Sequence, residues 1–233
     1  MIRRYLLREY GSWGVMMLAF LAGIAAARGF SPAALGVLAG LSLSINAKQA
    51  LTEGMRSRGA EARSAFAVFS CQAAAAALLF WLSLGSLFYP LLPYAAVPLV
   101  YVLLLRFKGE HALVTEAAGF VLLSLSSLVA NAAVTCRVDP WLFLAVAVFF
   151  TAGVFKVRIQ FRKKRKDRLA MTGYLAGSAA AYLLAGLPVI CLAPLGDNLV
   201  FAARPYQVKL QTTGWLEVAK GTLFVLLVAA FYR

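Results

Sequence analysis

The chain has 233 residues, 62% of them hydrophobic and 14% charged, with a mean hydropathy of +0.80, whereas a soluble domain is about half apolar and a quarter charged. A water-soluble globule is excluded, and the length leaves room for seven or eight membrane-crossing helices of about 20 apolar residues each, joined by short loops. Lys and Arg outnumber Asp and Glu 23 to 9, a net charge of +14, which in so apolar a chain reads as basic cytoplasmic loops rather than a nucleic-acid surface.

The basic start Met1-Ile2-Arg3-Arg4 is followed by no small-residue cleavage site with a polar sequel, so it reads as retained. Uncharged runs between Glu9 and Arg28, and between Arg28 and Lys48, predict a helical hairpin whose second helix has Ser31 as cap and Pro32 in its first turn. Residues 64–105 contain no charge, and Gly85, Tyr89, Pro90 and Pro93 divide that stretch into two helices, at about 64–84 and 90–105. A fifth span follows Glu116 up to Arg137, and a sixth covers 140–155 behind an Asp139 cap. The seventh begins after Arg168 and ends near Cys191, and the eighth lies at about 213–232. The fold class expected is all-α: one domain, 1–233, forming a polytopic transmembrane bundle of about eight helices.

With the N-terminus inside, Lys and Arg gather at the inner helix ends. Only Arg28, Arg137, Arg204 and Lys209 fall outside, and Lys220 lies within the last span. This alternation predicts both termini in the cytoplasm. The inner loops at 46–63 and 156–168 hold parallel positions, which suggests two four-helix halves matched by position more than by residue identity. If the halves pack with parallel pseudo-symmetry, both loops face one cytoplasmic cleft. There Lys48, Gln49, Lys156, Arg158, Gln160 and Arg162 would bind a phosphate or carboxylate headgroup. The same charges also serve as ordinary positive-inside loops, but basic and polar groups at every second position of 156–162 fit neither a plain helical stripe nor a random basic tail.

Ionisable groups inside spans need partners. Glu116 is one candidate, and Glu217 with Lys220, three residues apart on one helical face, can pair. Asn46 and Asn131 are expected to hydrogen-bond between helices. Cys71, Cys136 and Cys191 form no metal or disulfide pattern, and the single histidine, His111, leaves no bis-histidine haem site, so neither metal nor cofactor is expected. No Ser/His/Asp set, Walker loop or dinucleotide fingerprint is present.

Arg8-Glu9-Tyr10-Gly11-Ser12-Trp13 resembles the Arg-Glu-His-Gly-Ala-Trp opening of the YwiC-like family of bacterial integral membrane proteins, with Tyr10 and Ser12 as the departures. The resemblance continues in Lys48-Gln49-Ala50-Leu51, in 157–162, and in Gly214-Trp215-Leu216-Glu217. It implies a bacterial inner-membrane protein and gives Arg8, Glu9 and Trp13 the standing of a motif, but it brings no activity with it. In layout alone the chain is similar to UbiA-type prenyltransferases, which hold magnesium and a diphosphate on acidic motifs after helices two and six. Here those positions read Asn46-Ala47-Lys48-Gln49 and Lys156-Val157-Arg158-Ile159-Gln160, without the acids that would chelate the metal. The partners expected are membrane lipids, with an anionic or isoprenoid lipid at the cleft, and no nucleic acid. A UbiA-like enzyme of lipid or quinone modification and a small-solute transporter are the alternatives.

Overall fold

The computed structural model describes residues 10–162, 164–204 and 209–232, with the backbone alone at 162 and 210. Among these residues the regular structure is entirely helical, as hydrocarbon requires of a chain that must satisfy its own backbone polar groups. Six stretches are long and apolar enough to cross a membrane. The large side chains left exposed on them, such as Leu82, Leu99, Leu103 and Leu226, form the surface that a bundle in lipid presents. This is a multi-pass membrane protein.

Two helices meet at the centre, α1 (Tyr10–Ala27) and α6 (Leu113–Thr135). They run parallel: Ser126 donates to Met16 O at 3.0 Å, Asn131 Nδ2 donates to Gly23 O at 3.3 Å, and Gly29 lies beside Val134. A Cβ on Gly23 would collide with Ser127 O and lie 2.9 Å from Ala130 Cβ, so only glycine lets the two backbones come this close.

Ser31 caps α2 (Pro32–Arg56) by accepting from Ala33 N. α2 packs antiparallel on α3 (Ala60–Leu84), with Gly40 against Phe80 and Gly54 against Phe66. Gly85, at φ +56°, ends α3. Two 3-10 turns flanking the single-turn α4 (Phe88–Leu91) carry the chain to α5 (Ala96–Lys108), which returns along α6 with Tyr101 against Gly119.

α7 (Pro140–Arg162) starts with Asp139 Oδ1 accepting from Trp141 N and Leu142 N, both at 3.1 Å. It runs antiparallel to α6, so that Arg158 reaches Glu116 at the far end. The segment 156–162, expected as an inner loop, is instead the last two turns of this helix. Helix geometry explains its alternation. Lys156 and Gln160, one turn apart, face α10, Ile159 is fully buried, and Arg158 faces α6. α8 (Arg165–Leu184) returns along α7, Tyr174 and Tyr182 donating to Val148 O and Ala145 O at 2.8 Å each.

After Gly186 (φ +66°) and Pro188 the chain crosses again, as a 3-10 stretch over Val189–Leu195 followed by α9 (Gly196–Ala203). It arrives beside the start of α8, where Arg168 donates to Ala202 O and Ala203 O at 2.5 and 2.6 Å. Seven residues rising about 2.0 Å and eight rising about 1.5 Å span about 26 Å, close to the roughly 30 Å of a hydrocarbon core. α10 (Leu210–Phe231) therefore starts at the basic end, with Thr213 donating to Gln160 at 3.1 Å. It finishes at the opposite end, where the Tyr232 hydroxyl donates to Asp139 Oδ2 at 2.8 Å. Burial and the adjacent Asp139 carboxylate push the Tyr232 phenol above its ordinary value and keep it a donor.

This crossing corrects the expected topology. Arg204 and Lys209 join the basic end, and among the described residues only Arg28 and Arg137 of the Lys and Arg lie at the other. Tyr10 and Tyr232 occupy opposite ends of the bundle, in contrast to the expectation of both termini on one side. Too short for a 20-residue apolar window, 189–203 reads in sequence as the tail of a span and a loop. Reporters fused after Lys108, Arg168 and Lys209 should all read one side of the membrane and a C-terminal fusion the other. Agreement between the Lys209 and C-terminal reporters would overturn the assignment.

Candidate functional site

Between α2, α3, α5 and α6 the helices border a partly open apolar chamber of about 310 Å³, within the range of small-molecule sites. Leu41, Ile45 and Leu51 of α2, Phe80 of α3, Pro98 of α5 and Leu123 of α6 are among its walls. Toward the basic end it meets a second, more polar cavity of about 240 Å³ bordered by Ser12, Glu110, His111, Thr115 and Glu116 as well as Phe120. Lys48, Tyr101, Leu122 and Leu123 line both spaces. The Lys48 ammonium lies 5.9 Å from the centre of the Tyr101 ring, within cation–π reach. Gly119 leaves the Tyr101 ring room, since a Cβ there would lie 3.4 Å from it.

Arginines hold the carboxylates of this mouth. Arg158 Nε donates to Glu116 Oε2 at 2.8 Å and its Nη2 to His111 O at 2.7 Å, while Arg56 pairs with Glu110. Glu116 sits in the first turn of α6 rather than deeper in the span, and its partner is Arg158. The arrangement is amphipathic: an apolar pocket whose entrance carries a lysine, two arginine–carboxylate pairs and hydroxyls.

Of the residues that sequence assigns to one cleft, Lys48 lines this cavity together with Glu116, and Arg158 pairs with Glu116 without lining it. Lys156 lines neither space. It is turned away from the chamber into the C-terminal half, and Gln160 binds Thr213 there. Gln49 is half-buried on α2, and Trp13 packs near Met16 and Ile45. Asn131 bridges α6 to α1 as expected, whereas Asn46 donates to Ser42 O of its own helix at 2.9 Å. Arg8, Glu9 and the Arg162 side chain lie outside the described residues.

The C-terminal half holds a second constellation. Lys156 and Lys220, 2% and 7% exposed, each contact both Asp197 and Glu217. Lys156 pairs with Asp197 and lies 3.1 Å from Glu217 Oε1, while Lys220 lies 2.7 Å from Glu217 Oε1 and 3.5 Å from Asp197 Oδ2. Asn198, fully buried, accepts from Lys220 at 2.5 Å. Two ammonium groups and two carboxylates thus cancel, which is the condition for keeping charges in lipid. The Glu217/Lys220 pairing is visible in the i, i+3 spacing. Asp197-Asn198, a polar pair in an otherwise apolar run, is the local signal for the partners that sequence reasoning left out. Among the described residues no three His, Cys, Asp or Glu gather as metal ligands.

The family model described as YwiC-like protein matches residues 6–131, more than half of the chain, including every residue that lines the two cavities but not Arg158, the partner of Glu116. The chain belongs to the YwiC-like family. In this YwiC-like protein the four-charge cluster lies wholly beyond the matched residues, as do the motifs at 157–162 and 214–217. No curated protein and no solved structure matches the chain.

The two kinds of ion pair should differ sharply in cost. Asp197→Ala leaves two buried ammonium groups with one carboxylate, and should cost on the order of 3 kcal/mol in unfolding titrations in detergent. Arg56→Ala removes a partner that is 61% exposed and should cost less than about 1 kcal/mol. Equal small losses would show that the cluster is not a sealed ionic core.

Proposed function

We propose that this YwiC-like protein binds an amphipathic lipid, the apolar tail in the chamber between α2, α3, α5 and α6 and an anionic or isoprenoid-linked headgroup at the mouth. The observation that carries the reading is that Lys48 and Tyr101 line both the apolar and the polar cavity. One molecule with a hydrocarbon end and an oxyanion end would satisfy both environments at once. The excess of Lys and Arg at this end supports a cytoplasmic mouth in a bacterial inner membrane. The protein then acts by holding or presenting the lipid. The mouth's own carboxylates are held by arginines, a poor arrangement for a metal-bridged diphosphate.

A carrier coupled to ion movement is the second reading, supported by the buried Lys156/Lys220 cluster beside the interrupted crossing 189–203, since broken helices and intramembrane charges accompany transport sites. Flux of solute into vesicles driven by a proton gradient, abolished by Asp197→Asn, would favour it.

The lipid reading is tested by native mass spectrometry of the detergent-purified chain with identification of retained lipid. Lys48→Gln should weaken retention by about 1–3 kcal/mol, the range of a charged hydrogen bond. The exposed pair Lys164→Gln with Lys166→Gln should leave it unchanged. Retention that follows total basic charge instead of Lys48 would contradict a specific headgroup site.

A further inference from the structure

The apolar chamber continues away from the basic end. Between α3, α6 and the interrupted segment 85–95 lies a third, partly open cavity of about 200 Å³, with Leu84, Leu91, Leu92, Tyr94 and Leu128 among its walls. Phe80, Pro98, Leu125 and Val129 border this cavity and the chamber alike, and so form the neck between them. About 200 Å³ is below the range of pockets that hold a whole small molecule, so the space reads as the end of a longer site. Its far wall is anchored: Leu91 is buried, and the Tyr94 ring meets Phe143 of α7 edge-on, 5.8 Å between ring centres.

α6 runs beside all three spaces and measures them. Thr115 and Gly119 border the mouth, Leu122 and Leu125 the chamber, and Leu128 and Val129 the far cavity. Val129 comes fourteen residues after Thr115, about 21 Å at the α-helical rise, whereas one leaflet, half of a roughly 30 Å hydrocarbon core, is about 15 Å deep. Ser124 is the middle residue of α6, so Leu128 and Val129 lie past the midpoint, on the side away from the basic end. The width of the neck depends on α2. The Phe80 ring lies against Gly40, where a Cβ would come within 2.9 Å of it, and a side chain there would push the ring off α2 and into the passage.

We infer that the far cavity is the tail-end subsite of the lipid site: it takes one hydrocarbon chain, held extended, that passes Phe80 and ends beyond the middle of the membrane among Leu91, Tyr94 and Leu128. This rests on the lipid reading above and narrows it to a ligand class, an amphipath with a single long chain, straight or isoprenoid, that reaches about 21 Å from the mouth. In lipid a tail gains little by exchanging one apolar environment for another, so fit decides between chains. A short chain leaves the walls of the far cavity without contacts. Phe80 at the neck and Ala95 at the end wall are therefore the positions that set chain length and bulk. The path of the tail is a matter of shape, and how the headgroup is held does not enter it.

The full-length protein in detergent is titrated by native mass spectrometry with four phosphate monoesters, decyl and oleyl phosphate and geranyl and geranylgeranyl phosphate. The readout is the ratio of long-chain to short-chain affinity, compared between wild type and variant so that partition into the micelle cancels. Ala95 is exposed and borders the far cavity but neither the chamber nor the mouth, so Ala95→Trp should fill the end of the passage alone. It should lower the ratio by about tenfold or more, the cost of forcing a chain into occupied space, and leave short-chain binding unchanged. Whichever long ester the wild type prefers identifies the chain as straight or isoprenoid. An unchanged ratio in Ala95→Trp, or equal loss of long and short esters, overturns the inference while leaving lipid binding by the wild type intact. Failure of the wild type to bind any of the four refutes the lipid reading itself. Should Ala95→Trp not fold, Gly40→Ala decides, because pushing Phe80 into the neck should lower the same ratio. An unchanged ratio in that folded variant would overturn the inference.

Discussion

At Gly23 the backbones of α1 and α6 touch with room for no side chain, and each half of the molecule hangs from one of these two parallel helices. In lipid there is no hydrophobic drive to press helices together, so close approach of small residues and satisfied polar contacts must do it. Ser126 and Asn131 of α6 supply those contacts to the α1 backbone. Because the two helices run in the same direction, the helices that follow each of them repeat in direction too: α2 and α7 both run toward the basic end, with Lys48 and Lys156 sixteen residues after their opening prolines.

From that common frame the halves diverge by side-chain volume and charge. The second half is solid: Phe149, Phe150 and Phe224 pack edge and face, Tyr182 is fully buried, and its charges cancel internally. The first half is hollow between α2, α3, α5 and α6, where Leu41, Leu123 and Lys48 border a cavity. A cavity of this size costs packing energy in an empty protein. The apolar tail proposed for it would recover those contacts.

The sequence shows the class and much of the fold. Ser31-Pro32 and Asp139-Pro140 announce two helix starts that the structure keeps, and Gly85 ends α3 as the turn chemistry requires. What it conceals is the crossing at 189–203. Hydropathy windows assume α-helical rise, and a 3-10 stretch crosses with fewer residues. That omission puts Arg204 and Lys209 at the other end from the one where the structure has them. The alternation in 156–162 shows that those side chains have specific partners, but period alone does not tell that Lys156 and Arg158 serve different neighbours on opposite flanks of one helix. The pairing of Lys48 with Tyr101 is invisible in sequence because 53 residues separate them.

The central proposal is that the cavity between α2, α3, α5 and α6 holds the tail of an amphipathic lipid whose headgroup lies near Lys48. A structure of the protein in nanodiscs made with native membrane lipids tests it most directly. The account predicts elongated density between α2, α3, α5 and α6, ending in a headgroup within hydrogen-bond distance of the Lys48 ammonium, with no lipid density at Lys156. A chamber collapsed by side chains, or a lipid headgroup seated at the Lys156/Asp197 cluster instead, would contradict it.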